Sequence, residues 1–139
     1  TVGSAGGDDR LFGDDGDDIV VGNLGADTLH GGAGDDRMHG GQADDVLVGG
    51  DGNDWMSGDR GADTLTGGAG ADVFYSFAEA GLDRVADFGA GDRVLVAAGA
   101  SYTVSQGAEG VVVDIAGGAQ VVLAGVSLAS LGEGWIGVY

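Results

Sequence analysis

The chain has 139 residues, a length that suits one domain or one repeat array with a cap. Its 23 acidic residues far outnumber its five basic residues, which are all arginine, and the formal net charge is −18. This charge argues against nucleic acid or an anionic membrane surface as a partner, since both would repel it, and it favours cations. Cysteine and proline are absent while glycine occurs 32 times, so no disulfide or thiolate metal site is available.

The first residues carry neither an initiator methionine nor a basic-then-apolar signal peptide. We therefore expect the chain to be a piece of a longer protein. No apolar run approaches the ~18 residues that a membrane-spanning helix requires, so no membrane span is predicted.

Residues 4–75 form eight consecutive nonapeptides with no insertion or deletion: SAGGDDRLF, GDDGDDIVV, GNLGADTLH, GGAGDDRMH, GGQADDVLV, GGDGNDWMS, GDRGADTLT and GGAGADVFY. Position four is glycine in seven of them and Ala43 in the fifth. Position eight is always a large apolar residue: Leu11, Val20, Leu29, Met38, Leu47, Met56, Leu65 and Phe74. Position six is always aspartate: Asp9, Asp18, Asp27, Asp36, Asp45, Asp54, Asp63 and Asp72.

A nine-residue period is too short for a helix pair or a propeller blade, so each unit is predicted to be one strand and one turn. Positions seven to nine place one large apolar side chain between two smaller or polar ones, which indicates a short strand with a single inward residue. Successive strands must then reverse direction, so one coil takes two nonapeptides, and residues 18 apart stack about 4.8 Å from each other. Glycine at positions one, two and four suits backbone conformations that a Cβ would strain.

This stacking arranges the position-six aspartates into two columns, one on each edge of the coil. Two carboxylates about 4.8 Å apart repel by roughly 1 kcal/mol in water and by roughly 3–4 kcal/mol at an effective dielectric near 20. Each column therefore needs cations between its members. The available donors are all oxygens, which suit Ca²⁺, whereas Mg²⁺ demands a tighter octahedral geometry. With one buried side chain per nonapeptide, we expect the metal-free segment to be disordered and metal binding to be coupled to folding.

The nonapeptides resemble the RTX (repeats-in-toxin) family motif GGxGxDxUx, which GGAGDDRMH and GGDGNDWMS match at every defined position. The resemblance implies an all-β fold, a right-handed parallel β-roll with a C-terminal β-strand cap, and Ca²⁺ as the ligand. In that family each ion lies between turns two repeats apart. One turn gives the carbonyls of positions two and four with its Asp, and the next turn on that edge gives the carbonyls of positions one and three with its own Asp.

Carried over to this chain, the resemblance implies six complete Ca²⁺ sites, three on each edge. The first site comprises Ala5, Gly7, Asp9, Gly22, Leu24 and Asp27, and the second comprises Asp14, Gly16, Asp18, Gly31, Ala33 and Asp36. The carbonyl ligands of the remaining four sites are Asn23, Gly25, Gly40 and Gln42; Gly32, Gly34, Gly49 and Asp51; Gly41, Ala43, Gly58 and Arg60; and Gly50, Gly52, Gly67 and Ala69.

Several residues invite other interpretations. An EF-hand is rejected because its loop needs a Glu at position twelve, and the first Glu of this chain is Glu79. The position-five aspartates are interpreted as solvated surface charge rather than extra ligands: Asp8, Asp17, Asp35 and Asp44. His30 and His39 are predicted to face outward on opposite sheets rather than to bind Zn²⁺, and Trp55 is predicted to pack on the outer face.

No catalytic motif is present: the chain lacks a His-Glu-x-x-His sequence, a Gly-x-Ser-x-Gly sequence, cysteine and lysine. The repeat assigns the aspartates to metal, so this segment is predicted not to be an enzyme. A catalytic domain upstream in a longer protein remains compatible with the sequence.

Valine- and alanine-rich sequence replaces the glycine- and aspartate-rich repeats near Ser76. Residues 1–75 carry a net charge of −13 and residues 76–139 a net charge of −5. We therefore predict two parts, the β-roll in 1–75 and a β-rich capping region in 76–139. Predicted strands are Arg84–Phe88, Arg93–Val96, Tyr102–Ser105, Val111–Ile115, Gln120–Leu123 and Trp135–Val138, with hairpin turns at 107–110 and 116–118 and one helical turn at Leu128–Leu131. By resemblance to the segment that follows the repeats in RTX proteases, secondary metal candidates are Asp83, Asp87 and Asp92.

The tail from Glu133 to Tyr139 is an acidic residue followed by mostly apolar ones, and it resembles the ends of type I secretion substrates of Gram-negative bacteria. The main hypothesis is a Ca²⁺-binding module that folds outside the cell and serves as the C-terminal folding and secretion module of an exported protein. Its expected partners are calcium ions and the type I secretion machinery, its location is secreted or on the cell surface, and as a fragment it is expected to be monomeric. Two alternatives stay open: a Ca²⁺-stiffened module of a surface layer or adhesin, and the tail of an exported hydrolase.

Overall fold

The nonapeptide period appears directly in the spacing of the strands. The computed structural model describes residues 1–139 and consists of fifteen strands and one 3-10 turn, Leu128–Ser130, so the all-β prediction is confirmed. No helix is long and apolar enough to cross a membrane. The strands are β1 (Val2–Gly3), β2 (Arg10–Asp15), β3 (Ile19–Leu24), β4 (Thr28–Ala33), β5 (Arg37–Gln42), β6 (Val46–Asp51), β7 (Trp55–Arg60), β8 (Thr64–Ala69), β9 (Val73–Ser76), β10 (Leu82–Val85), β11 (Arg93–Val96), β12 (Tyr102–Gln106), β13 (Gly110–Ile115), β14 (Ala119–Ala124) and β15 (Ile136–Val138).

Alternate strands enter two opposed sheets. One sheet has the order β1-β3-β5-β7-β9-β11-β15, and the other has the order β12-β13-β14-β10-β8-β6-β4-β2. Within the repeats the pairing is parallel and joins residues 18 apart, as in Leu11 with Leu29 and Met38 with Met56. The predicted parallel coil of two nonapeptides per turn is therefore confirmed.

The strands are longer than the three residues predicted for each repeat. From β2 to β8 each strand has six residues and covers positions seven to nine of one nonapeptide and positions one to three of the next. The parallel pairing continues across positions two and three, as in Asp14 with Gly32 and Asp15 with Ala33. The turn therefore comprises only positions four to six of the nonapeptide, which include the position-four glycine and the position-six aspartate.

Within the repeats, the core consists of the position-eight side chains, which lie between the two sheets. From Val20 to Phe74 these residues are at most 1% exposed, whereas Leu11, at the end of the roll, is only partly buried. In strands such as β4 and β6 the buried position-eight residue lies between more exposed neighbours, as predicted, whereas β7 buries Ser57 together with Met56.

The parallel coil does not end where the composition changes near Ser76. Strand β10 pairs with β8 through Arg84 and Thr64, and β11 pairs with β9 through Arg93 and Val73, so the spacing rises from 18 to 20 residues. The two additional residues are accommodated after β9, and the same two sheets continue without interruption.

The remaining residues close the C-terminal end of the roll. Strands β12, β13 and β14 form an antiparallel meander with turns at the two predicted places, and β14 then pairs in parallel with β10. Five of the predicted strands lie within one residue of those observed. The exception is the strand predicted at Arg84–Phe88, which instead spans Leu82–Val85, because the chain turns at Asp87 and buries Phe88 against Phe74.

Candidate metal centre

The position-six aspartates form the two predicted columns. We call Asp9, Asp27, Asp45 and Asp63 the odd column, and Asp18, Asp36, Asp54 and Asp72 the even column. Within a column, the backbone N–H of each aspartate donates to Oδ1 of the aspartate 18 residues later, at 2.7–2.9 Å. These hydrogen bonds hold each carboxylate against the turn that precedes it.

In six of the eight column aspartates, from Asp27 to Asp72, the second carboxylate oxygen has no hydrogen-bond partner within the protein. The side chains from Asp27 onward are 1–2% exposed, so water does not solvate them. A buried ionised oxygen without a donor is strongly unfavourable unless a cation compensates it. The buried oxygens without a hydrogen bond are Oδ2 of Asp27, Asp36, Asp45, Asp54, Asp63 and Asp72, and Oδ1 of Asp83.

Position one is glycine because a Cβ there would overlap this carboxylate oxygen, and not because its backbone angles require glycine. A Cβ added to Gly31 would overlap Oδ2 of Asp36 and would lie 2.7 Å from the carbonyl oxygen of Gly49. The same overlap with a carboxylate oxygen and a carbonyl oxygen recurs at Gly40 and Gly49. Gly31, Gly40 and Gly49 therefore leave room for a carboxylate oxygen and a carbonyl oxygen to lie side by side, which is a cradle suited to a cation.

Positions two and four adopt left-handed backbone conformations that orient the turn carbonyls. Glycine occupies most of them, but four other residues have positive φ: Asp14 at 74°, Asn23 at 76°, Ala43 at 81° and Asp59 at 68°. Ala43 therefore occupies a backbone conformation that favours glycine, and its Cβ strains this turn.

Burial raises the pKa of the inner carboxyl groups. Desolvation first, and then repulsion from neighbouring column carboxylates, raises the pKa of Asp45 to about 7 and that of Asp54 to about 6. Desolvation, followed by the charge of Asp83, raises the pKa of Asp63 to about 7. Desolvation also raises the pKa of Asp36 and Asp72. Without a cation, the raised pKa values of Asp45 and Asp63 bring the protonation of these two carboxyl groups close to neutral pH.

The donor set consists of carboxylate pairs and backbone carbonyls. No three His, Cys, Asp or Glu side chains converge on one point. An all-oxygen set of this kind, with few charged ligands and many carbonyls, fits Ca²⁺ better than Zn²⁺ or Mg²⁺. The residues present therefore fit the ion that the motif implies.

The position-five side chains do more than the sequence suggested. They are exposed, as predicted for solvated charge, but their oxygens also accept backbone N–H bonds from the turn 18 residues later. Asp8 accepts from Ala26, Asp17 from Asp35, Asp35 from Asn53, Asp44 from Ala62, and Asn53 from Ala71, all at 2.7–2.9 Å. In the sequence, the signal for these position-five hydrogen bonds is that position five is always Asp, Asn or Ala. Asp and Asn can accept such a bond through their side chains, whereas Ala can only donate one through its backbone N–H.

The two histidines lie on the outer faces of opposite sheets, as predicted, and do not share a site. His30 stacks on Phe12 with ring centroids 5.0 Å apart. His39 lies 3.2 Å from a carboxylate oxygen of Asp59 and packs against Trp55. Trp55 is partly exposed on the outer face, in agreement with the prediction.

Two further nonapeptides follow the eight that sequence reasoning identified. Residues 78–86 (AEAGLDRVA) and 87–95 (DFGAGDRVL) are in frame with each other and offset by Ser76 and Phe77 from the first eight. Each retains Asp at position six and a buried valine at position eight, namely Asp83 with Val85 and Asp92 with Val94. Of the secondary candidates, Asp83 and Asp92 thus extend the two columns, whereas Asp87 accepts the backbone N–H bonds of Gly67 and Gly68 at 2.9 Å.

Comparison with known proteins agrees with this geometry. A family model described as the RTX calcium-binding nonapeptide repeat matches in four copies, at residues 4–29, 12–47, 21–56 and 48–76. No curated protein sequence matches the chain.

Two solved structures have a similar fold. The AlgE6R3 subunit of the mannuronan C5-epimerase from Azotobacter vinelandii is 29% identical with a TM-score of 0.51, over 90% of this chain and 80% of that subunit. The extracellular lipase LipA from Serratia marcescens is 19% identical with a TM-score of 0.53, over 94% of this chain and 38% of the lipase.

Proposed function

Because the chain belongs to the RTX calcium-binding nonapeptide repeat family, we propose that it is a module that folds when Ca²⁺ binds outside the cell and that serves a longer, exported protein. The observation that carries this proposal is the row of buried carboxylate oxygens without a hydrogen-bond partner. A β-roll built only of repeats is a non-catalytic kind of domain, so the activity of this module is binding and folding.

Each ion would be held between successive turns of one edge. Two column aspartates would supply charge, and four turn carbonyls would supply neutral oxygen. When bound, Ca²⁺ supplies the positive charge that the buried carboxylates require. In the central part of the odd edge, for example, one ion would be held by the carboxylates of Asp27 and Asp45. Its carbonyl ligands would be those of Asn23, Gly25, Gly40 and Gln42. Eight repeats give six such sites, all built from residues 5–72.

Folding is proposed to depend on the metal because the aspartates are brought together only in the roll. In an unfolded chain the carboxylates are separated and solvated, whereas in the roll they are buried in successive turns of the same edge. The free energy of ion binding then becomes free energy of folding. A module of this kind remains unfolded in a cytoplasm with little Ca²⁺ and folds in millimolar Ca²⁺ outside.

Export by a type I system is supported by the acidic, cysteine-free composition and by the tail. The similar lipase is described as extracellular, and this chain corresponds to 38% of it, which favours a role as the tail of a larger exported hydrolase. We propose a secreted or cell-surface location in a Gram-negative bacterium, with an upstream domain carrying the activity.

A calcium titration followed by far-UV circular dichroism tests the coupled folding. We expect disorder to give way cooperatively to β-structure, with a midpoint of about 10⁻⁴–10⁻³ M as for extracellular calcium modules. Mg²⁺ at the same concentration serves as the control and should not induce the change. A chain that keeps full β-structure in excess chelator would overturn the proposal.

A further inference from the structure

The C-terminal end of the roll carries a free strand edge. Strand β12 is the last strand of the eight-stranded sheet and pairs only with β13. This sheet continues for three strands beyond β10, whereas the other sheet continues for one strand beyond β11. The segment that follows β14 makes its hydrogen bonds with β12 through the Gln106 side chain. Strand β12 therefore projects past the other sheet, and no strand covers its outer edge.

The register of the β12–β13 hairpin shows which backbone groups lie on this outer edge. The Gly107 N–H donates to the carbonyl of Gly110 at 2.8 Å. Because hydrogen-bonded pairs alternate along an antiparallel ladder, the backbone groups of Ser105 and Thr103 also face β13. The residues whose backbone N–H and C=O groups face outward are Tyr102, Val104 and Gln106. These outward groups have no hydrogen-bond partner in the protein.

The other edge strands of the roll are charged or short, whereas β12 is neither. Strand β2, at the opposite end of the same sheet, contains Arg10, Asp14 and Asp15, and four further aspartates lie in the turns beside it. Charged side chains on an edge strand disfavour pairing with another chain. Strands β1 and β15 have only two and three residues. Residues 101–108 contain neither a charged residue nor proline, so β12 is the edge suited to pairing with a further strand.

The sequence of β12 is complementary to a second copy of itself. Antiparallel pairing centred on Val104 places Tyr102 opposite Gln106 of the other copy, and Thr103 opposite Ser105. In this register the outward backbone groups of both copies meet as hydrogen-bonded pairs. Opposed threonine and serine side chains are a favourable cross-strand pair. The half-buried side chains of Tyr102 and Val104, which pack against the core, then lie on the same face in both copies.

The distribution of charge also favours contact between two C-terminal ends. Residues 1–75 carry a net charge of −13, whereas residues 76–139 carry −5. When two copies pair through β12, the last repeat strand of the sheet, β8, lies nine strand spacings, roughly 40 Å, from β8 of the other copy. This distance is several times the Debye length of about 10 Å at 0.1 M salt, so repulsion between the two acidic repeat arrays is screened.

We propose that the outer edge of β12 is an interaction surface for a second copy of this chain. Two eight-stranded sheets would join there, antiparallel and with twofold symmetry, into one sheet of sixteen strands. This dimer replaces the monomer expected from the sequence, in which the free edge is not visible. The inference goes beyond the proposed function and does not depend on it, because no residue of the contact belongs to the metal centre.

Sedimentation equilibrium of the whole chain in saturating Ca²⁺ tests the dimer. Thr103→Glu combined with Ser105→Glu places like charges opposite each other in two pairs and should raise the dissociation constant of the dimer about tenfold. Thr103→Lys combined with Ser105→Glu places opposite charges in the same pairs and should retain the dimer. Circular dichroism in Ca²⁺ checks that both variants are folded. An unchanged protein that stays monomeric up to about 1 mM, or equal association of all three proteins, would overturn the proposal.

Disulfide trapping tests the register without relying on the charged variants. The chain has no cysteine, so Thr103→Cys and Ser105→Cys each introduce a single thiol. Position 103 faces position 105 of the other copy as a non-hydrogen-bonded pair, whose Cα atoms lie about 4.5 Å apart and within disulfide reach. A mixture of the two variants should form linked dimers severalfold faster than either variant alone. A mixture that does not link, or that links no faster than the single variants, would overturn the register and with it the proposed interface.

Discussion

Replacing Asp45 by alanine should impair calcium-dependent folding much more than replacing Asp9. The Oδ1 of Asp45 accepts the Asp27 N–H at 2.7 Å, its own N–H donates to Asp63 at 2.7 Å, and its Oδ2 is one of the buried oxygens without a partner. Asp45 is 1% exposed and lies between two proposed ions. Asp9 is partly exposed and lies at the end of its column, so it serves one ion only.

The expected size of the difference follows from burial. Removing one partner from a buried ionic contact costs about 3–5 kcal/mol, whereas a partly exposed contact is worth about 1 kcal/mol at most. If about six ions bind cooperatively, the lost folding free energy is shared among them, so the binding free energy per ion falls by about a sixth of the total. A change of 1.4 kcal/mol per ion corresponds to a factor of about ten in the calcium midpoint. The calcium midpoint should then rise roughly two- to fourfold in Asp45→Ala and by less than about 1.5-fold in Asp9→Ala.

Far-UV circular dichroism during a calcium titration measures both midpoints and their cooperativity. Asp114→Ala is the matched control, because Asp114 is exposed on β13, bonds only to Gln120 and lies outside both columns. Its midpoint should equal that of the unchanged protein. Equal midpoints for Asp45→Ala and Asp9→Ala would refute the stacked columns even if the protein still bound calcium.

Two further predictions concern protons and the glycine cradle. The pKa values of Asp45 and Asp63 are raised from 3.8 to about 7, so protonation stabilises the metal-free fold fully below about pH 4, and this contribution is lost as the pH rises through 7. Protons therefore compete with Ca²⁺, and isothermal titration should show weaker binding and greater proton release at pH 6 than at pH 8; a pH-independent midpoint would contradict this. Gly49→Ala should raise the calcium midpoint severalfold, because the new Cβ overlaps Oδ2 of Asp54, whereas Gly132→Ala, with open space around it, should leave the midpoint unchanged. Similar midpoints for these two alanine variants would argue against the cradle.

The regular part of the fold could be predicted because the nonapeptide is strictly periodic. Every nonapeptide has an inward residue at position eight and a turn at positions four to six, so successive coils can stack in only one register. This register pairs residues 18 apart, such as Leu11 with Leu29. The two additional turns were missed because Ser76 and Phe77 shift the frame, and because the glycines of positions one and two are absent from residues 78–95. The three-dimensional register identifies them, through the pairing of Gly61 with Gly81 for the first and of Val73 with Arg93 for the second.

The hydrogen bonds made by side chains were the least predictable part of the site. Position five appeared to be surface charge because its composition varies, yet Asp17 and Asp35 each accept a backbone N–H of a later turn. The sequence fixes which residues are 18 apart, but it does not show which carboxylate oxygen meets a donor and which does not. That distinction separates Asp92 from Asp83, although both are preceded by short, glycine-containing turns.

The hydrogen bonds along each column all run in one direction, which gives the roll a polarity. The N–H groups of the column aspartates from Asp9 to Asp54 donate to the carboxylate of the next turn on the same edge, and the Asp72 N–H does the same to Asp92. At the other end, the Asp9 carboxylate can accept a donor but does not require one. Within the columns, removing the first coil takes no acceptor away from a later aspartate N–H, whereas removing the last coil takes Asp92 away from the Asp72 N–H. A change in the length of the array therefore leaves the column hydrogen bonds of the remaining turns intact when it is made at the N-terminal end.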